Sequence, residues 1–423
     1  IGYTMIIIYA FRKGGYMDYN TVKEKLESLG QEQLLSFYDE LDEEAQARLL
    51  DEIDKIDFSL VDLNRKDEGS ENDVIEPMGA MTLSEIEENR QRFENAGLEA
   101  IRAGKVACVL LAGGQGTRLG ADGPKGAYNI GINKDLYIFE CQINNITDVV
   151  KQAGCPIPLA IMTSQKNDAQ TRAFFEEHDF FGYDRNYVDF FIQEMAPSTD
   201  YNGKIYLEAK DHISLSPNGN GGWFKSLTSA GLTAKYKEQG VEWINVYAVD
   251  NVLQRMADPV FVGATIGSGC DIGAKVISKA APDEKVGVMC LRNGRPSIVE
   301  YYELTFEMIQ QRDENGRLSY NWGVILNYLL NLKALEDLGK MNMPYHIVEK
   351  KIPHIDENGN LIKPESPNGY KFETLILDMI SMMNGCLVFE VDRAKEFAPV
   401  KNLHGIDSVD SAREMLSALG KEL

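Results

Sequence analysis

Residues 106–120 read Val106-Ala107-Cys108-Val109-Leu110-Leu111-Ala112-Gly113-Gly114-Gln115-Gly116-Thr117-Arg118-Leu119-Gly120, and Pro124-Lys125-Gly126 follows shortly after. The apolar run to Ala112 has the character of a buried strand. It opens into glycines, which can take positive φ and bring bare backbone N–H groups close to a ligand. A guanidinium and an ammonium lie just beyond. Such a loop suits something flat and something anionic, as a nucleotide with its phosphates is. Two other glycine motifs fail. The stretch Gly114-Gln115-Gly116-Thr117-Arg118-Leu119 lacks the last glycine of G-x-G-x-x-G, and a P-loop lysine would precede Ser or Thr, where Gly126 stands. A glycine turn after a strand is usually structural only; Arg118 and Lys125 argue for chemistry.

Positioning this loop requires a sheet, and the sequence supplies one. Strands are predicted at Val106–Leu111, Pro158–Met162, Val188–Ile192 and Trp243–Val249, with helices between them such as Asp168–Glu177 and Gly222–Gln239. Strand–helix alternation predicts a parallel sheet with crossover helices, whose ligands gather at the carboxyl ends of the strands. Residues 17 to about 65 carry helical periodicity (Leu26, Leu29, Leu34, Leu35, Phe37, Leu41, Leu49, Leu50, Ile53), and Asn64 to Asp73 is polar. Met81–Ala103 is predicted helical, with Ser84 as its cap and Glu87 three residues on. Ile266–Gly273 resembles a hexapeptide repeat, but two turns are too few to stack.

Composition narrows the function. The 423 residues are 44% hydrophobic and 26% charged, with 43 Lys and Arg against 65 Asp and Glu, a formal charge of −22. That balance argues against nucleic-acid partners and anionic membranes. Six scattered cysteines without C-x-x-C, and five histidines without ligand spacing, indicate neither a zinc site nor a disulfide framework. Free thiols in a reducing cytoplasm are expected. The apolar stretch near Met5 to Phe11 is too short to span a membrane. Lys13-Gly14-Gly15-Tyr16 can be encoded by a bacterial ribosome-binding site directly before Met17. We therefore expect residues 1–16 to be a non-native leader and the source to be bacterial.

The later motifs agree with the first. They are Gln193-Glu194-Met195-Ala196-Pro197, the second glycine loop Pro217-Asn218-Gly219-Asn220-Gly221-Gly222, Val246-Tyr247-Ala248-Val249-Asp250-Asn251, Glu300-Tyr301-Tyr302-Glu303, Lys350-Lys351-Ile352-Pro353 and Pro399-Val400-Lys401-Asn402. The L-A-G-G-x-G-T-R-L-G pattern with P-K-G resembles nucleotidyltransferases that make nucleotide sugars. The ordered set, from about residue 80 to about 415, resembles the eukaryotic-type UDP-N-acetylglucosamine pyrophosphorylases and UDP-sugar pyrophosphorylases.

The resemblance implies an α/β fold: a Rossmann-like mixed, mostly parallel sheet flanked by helices, after a helical N-terminal region at 17–100. The catalytic domain would span 101–395, with a short C-terminal segment at 396–423. It implies a UTP:sugar-1-phosphate uridylyltransferase that uses Mg²⁺ and releases pyrophosphate. Leu111, Gly113, Gly114, Gln193 and Gly219 would bind the nucleoside. Arg118 would hold the leaving pyrophosphate, Lys125 the α-phosphate and Lys401 the phosphates from the far side. Asp250 would ligate the metal, and Asn220, Gly287 and Glu300 would contact the sugar. The sugar half departs from the family: F-N-A-G-N becomes Tyr320-Asn321-Trp322-Gly323-Val324, and two aromatic positions are Leu375 and Leu377. N-acetylglucosamine-1-phosphate leads, with glucose- or galactose-1-phosphate as rivals. A UDP-sugar glycosyltransferase would not need the R-L-G-x₃-P-K-G cluster, and a silent nucleotide-sugar sensor would not need all of Arg118, Lys125, Asp250 and Lys401.

Overall fold

The computed structural model describes residues 18–63, 73–341 and 343–423. The expected leader at 1–16 and most of the polar stretch after Asn64 lie outside the described residues. The chain forms two compact units.

One unit combines residues 18–63 with Met195–Gly219 and Tyr345–Thr374; the last two segments come from within the stretch expected to be catalytic. Helix Tyr19–Leu29 starts where the Asp18 carboxylate accepts from Asn20 N–H, and Glu43–Lys55 starts where Asp42 accepts from Ala45 N–H. Their apolar faces (Val22, Leu26, Leu49, Leu50, Ile53) bury against Ile205, Leu207 and Ile213. Leu29, part of the expected periodic series, is 41% exposed. It closes the last turn of the helix, which ends at Gly30. His346–Lys350 and Gly369–Glu373 form a small antiparallel sheet with Thr199–Asp200.

The other unit contains Ser70–Glu194, Asn220–Pro344 and Leu375–Leu423. It is a mixed α/β layer structure around a ten-stranded sheet. Strands Trp243–Ala248, Val106–Leu111, Leu159–Thr163 and Val188–Ile192 lie side by side and parallel. On the other flank of Trp243–Ala248 runs Trp322–Asn331, antiparallel. It pairs in turn with Ile272–Ser278 and Val288–Arg292, again antiparallel. Cys386–Glu390 lies parallel to Ile272–Ser278. The parallel arrangement expected for the sheet thus belongs chiefly to the side that bears the glycine loop.

Strand alternation explains the layering. Val106, Cys108 and Leu110 face Phe139, Ile143 and Ile146 of helix Ile138–Ala153, whereas Ala107, Val109 and Leu111 face Trp223, Leu227 and Tyr236. Burial on both faces is why this strand reads as an unbroken apolar run. The single helix expected at 222–239 is two, Trp223–Ser229 and Leu232–Glu238, broken at Gly231 with φ +77°. Helix Leu83–Arg102 is capped by Thr82 with Glu85, not by Ser84 with Glu87. Val288–Arg292 and Arg295–Val299 form a hairpin whose two-residue turn, Asn293-Gly294, has φ of +54° and +76°. Positive φ at both positions matches the strands' right-handed twist. Among the described residues no helix is long and apolar enough to cross a membrane.

Candidate active site

The glycine loop leaves Val106–Leu111 at its carboxyl end. Leu111 O accepts from Val249 N–H at 3.1 Å, which ties it to the end of Trp243–Ala248, the strand that delivers Asp250. The loop folds back on itself: Gly116 N–H donates to Gly123 O (2.9 Å) and Lys125 N–H to Gly114 O (3.1 Å). The Asn167 amide donates to Ala112 O (3.0 Å) and Gly114 O (3.3 Å). Asn167 was not among the expected residues. Its signal is slight, one Asn just before a helix.

Gln193 is 6% exposed at the end of the neighbouring strand. A Cβ added at Gly113 would lie 3.1 Å from Gln193 Oε1, whereas one at Gly114 would meet nothing within 4 Å. Gly113 thus gives the Gln193 amide its space, and Gly114 faces open volume. Gly219 belongs to the other unit. Its φ is +81°, and a Cβ there would overlap the Thr374 backbone, so local packing suffices to require glycine.

The charged residues converge. Lys125 Nζ lies 3.9 Å from Asp250 Oδ2. Burial pushes the Lys125 pKa down; Asp250 opposes that shift, and Arg118 and Lys401 add to it. The segment bearing Lys401 is pinned beside Asp250, with Val400 N–H donating to Asp250 O at 2.8 Å. Lys401 Nζ also pairs with Asp407 at 3.0 Å, a partner the sequence did not single out. Among the described residues no group of three or more His, Cys, Asp or Glu side chains could hold a metal ion. Asp250 therefore offers one carboxylate rather than a protein cage.

A third group forms at the antiparallel side. A Cβ at Gly287 would lie 3.0 Å from Ile298 Cγ2, 3.5 Å from Val324 Cγ2 and 3.6 Å from Glu300 Oε1. Burial and the neighbouring Glu303 raise the Glu300 pKa, and Lys401 opposes the shift. Val324 and Leu377 pack against one apolar cluster with Met289 and Ile298. Asn220 Oδ1 accepts from Ile376 N–H (3.0 Å), which seats helix Ile376–Met382 and, next to it, Leu375. The expected uracil-edge, phosphate and sugar residues therefore form three local groups, the last two linked through Lys401.

A glycine loop and converging cations at the carboxyl ends of parallel strands define a nucleotide-handling α/β enzyme. Residues 59–417 match the family described as UTP--glucose-1-phosphate uridylyltransferase, and the chain belongs to that family of uridylyltransferases, the UDP-sugar pyrophosphorylases. It is 38% identical over 414 residues to the UDP-N-acetylglucosamine pyrophosphorylase of Saccharomyces cerevisiae, covering 94% of this chain and 86% of the relative. It is also 38% identical over 423 residues to the human UDP-N-acetylhexosamine pyrophosphorylase-like protein 1, covering 94% and 83%. The solved uridine diphosphate N-acetylglucosamine pyrophosphorylase from Trypanosoma brucei, in complex with inhibitor, superposes with a TM-score of 0.83 at 29% identity, covering 96% and 85%. These relatives are eukaryotic, so the bacterial source expected from residues 13–16 finds no support in them.

Proposed function

We propose that the protein transfers the uridylyl group of UTP to a sugar-1-phosphate, N-acetylglucosamine-1-phosphate first among them, and releases pyrophosphate. The observation that carries this reading is the gathering of Arg118, Lys125, Asp250 and Lys401 within electrostatic reach of one another. In the reaction an oxygen of the sugar phosphate attacks the α-phosphorus of UTP. The new P–O bond forms as the bond to the β-phosphate oxygen breaks, and pyrophosphate departs with the electron pair. No covalent enzyme intermediate is needed, so alignment and charge neutralisation carry the catalysis. Leu111, Gly113, Gly114 and Gln193 bind the nucleoside, with the Gln193 amide reading the uracil edge. Arg118 receives the pyrophosphate and Lys125 the α-phosphate, and Lys401 neutralises phosphate from the far side. Asn220, Gly287 and Glu300 meet the sugar.

Asp250 suits Mg²⁺, which is commonly held by one or two carboxylates together with substrate phosphates and water. The bound ion would supply positive charge to the triphosphate oxygens. A cytoplasmic setting accords with six free cysteines.

Glucose- or galactose-1-phosphate remains a second reading, favoured by the aliphatic packing of Val324 and Leu377. The test is pyrophosphate release from UTP with a panel of sugar-1-phosphates. N-acetylglucosamine-1-phosphate should be turned over, with a lead over the other hexoses of about 10²-fold at most. Absence of pyrophosphate with every sugar would overturn the reading.

A further inference from the structure

The segment from Val249 to Asp258 contains Asp250 but no helix or strand. Buried and half-buried side chains take the place of secondary structure. Gln142 Nε2 donates to Val249 O (3.1 Å) and Asn251 O (2.8 Å), and Asn145 Nδ2 donates to Val252 O and Gln254 O (both 3.0 Å). Asn245 Oδ1 accepts from Ala257 N–H (2.7 Å). Lys275 Nζ, fully buried, donates to Arg255 O (3.0 Å) and pairs with Asp258 (3.1 Å) and Glu396 (2.6 Å).

One of these side chains reaches further. Asn251, 2% exposed, follows Asp250 directly. Its Nδ2 donates to Glu396 O (2.7 Å) and its Oδ1 accepts from Ala398 N–H (2.9 Å). Beside it, Val252 N–H donates to Ala398 O (3.2 Å) and Val400 N–H to Asp250 O (2.8 Å). The Asn251 amide is thus the side-chain part of the link between the strand end that bears Asp250 and the stretch that delivers Lys401, beside two backbone hydrogen bonds. Lys275, which pairs with both Asp258 and Glu396, bridges the same two segments.

We infer that Asn251 is a positioning residue that fixes the Lys401 ammonium relative to the Asp250 carboxylate. The chemistry of the amide explains the choice. The gap needs one donor and one acceptor at once, and a charged group there would disturb the adjoining carboxylate and ammonium. Lys401 and Lys125 repel one another, so the segment carrying Lys401 must be held. A displacement of about 1 Å in such a group is enough to cost on the order of 10²-fold in rate. The kinetic half of this inference rests on the uridylyl-transfer reading; the structural half does not.

The test compares Asn251→Leu, similar in volume and without polar atoms, with the native chain. Amide hydrogen exchange should quicken by about tenfold or more at Ala398 and Val400 as the link weakens, while strand Val106–Leu111 stays protected. In turnover, kcat should fall about 10²-fold with KM for UTP changed by less than about threefold, since the uracil residues are untouched. In a Lys401→Ala background the same substitution should cost less than about threefold, because coupled residues do not add. Additive losses, unchanged exchange at Ala398 and Val400, or loosening of Val106–Leu111 as well would overturn the inference. If Asn251→Leu does not fold, Asn251→Ser, uncharged and too short to hold both Glu396 O and Ala398 N–H, serves the same comparison. A native chain without UTP turnover would defeat the functional reading alone, and hydrogen exchange would still decide the link.

Discussion

Lys125 Nζ stands 3.9 Å from Asp250 Oδ2, at the outer limit of an ion pair, with both side chains largely withdrawn from water. The pair does not close into direct contact. Burial disfavours the lysine's charge, Asp250 only partly offsets this, and Arg118 and Lys401 make it less favourable still. Under the proposed reading the α-phosphate adds its negative charge to that of Asp250, and Lys125 is the positive charge that meets it.

Removing that charge should therefore harm turnover and not the fold. Lys125→Met keeps the aliphatic stem. Its kcat should fall by roughly 10²-fold, the scale of one lost electrostatic stabiliser, with Tm unchanged or raised. A Tm loss above about 5 °C with normal turnover would assign Lys125 to stability instead.

The pH profile should carry the same signature. A lowered pKa means that Lys125 sheds its proton at a lower pH than the ordinary ~10.4 of lysine. kcat/KM should decline on the alkaline side before that range, as the charge facing the phosphates is lost. Lys125→Arg, always charged, should move this limb upward. An alkaline limb that does not move in Lys125→Arg would assign it to another group.

Asp250→Asn preserves shape and removes the charge that balances a cation. The Mg²⁺ concentration for half-maximal rate should rise at least about tenfold. EDTA should stop the native reaction, and added Mg²⁺ should restore it. Full activity of the variant at low Mg²⁺ would place the ion elsewhere.

How far the sequence reveals the fold and site depends on the kind of contact involved. Val106–Leu111 and Asp168–Glu177 were legible to the residue because apolar runs and helical periodicity arise from local geometry. The break at Gly231 was missed because a lone glycine in a helical pattern is tolerated as often as it terminates. Antiparallel pairing by Trp322–Asn331 was hidden because a buried strand reads alike in either direction. The charged residues that the structure brings together, Arg118, Lys125, Asp250 and Lys401, stood in motifs visible in the sequence. The parts played by Asn167, Asn251 and Asp407 were not legible there, since each acts through backbone or side-chain partners brought near only by folding.

Gly113 and Gly114 should respond differently to the same methyl. Gly113→Ala sets it against Gln193 Oε1, and the displaced amide should weaken the preference for UTP over CTP by about tenfold or more. Gly114→Ala meets no protein atom. It should leave the melting curve intact and raise KM for UTP. Unaltered base selectivity in Gly113→Ala would remove Gln193 from uracil recognition.

Val324→Asn returns an amide beside Gly287 and Glu300. The ratio of kcat/KM for N-acetylglucosamine-1-phosphate over glucose-1-phosphate should rise by about 10-fold, a single hydrogen bond's worth. A native preference above about 10⁴-fold for any one sugar would show that Val324, Leu375 and Leu377 do not set the choice.

The hairpin closed by Asn293-Gly294 has a consequence for how such a protein can change. Its turn sets its own register, and Gly287, Ile298 and Glu300 stand on it or at its ends. The glycine loop and Asp250 lie on other strands, two of them fastened together at Leu111 and Val249. Under the proposed reading, the variable half of the reaction meets, in part, a hairpin whose register is set at its own turn and which joins the sheet at Val288 and Gly323. The invariant half meets a framework that admits no slippage. Substitutions on the hairpin can then retune part of the sugar contacts, whereas a change at Val324 is made on the strand paired with the one that delivers Asp250.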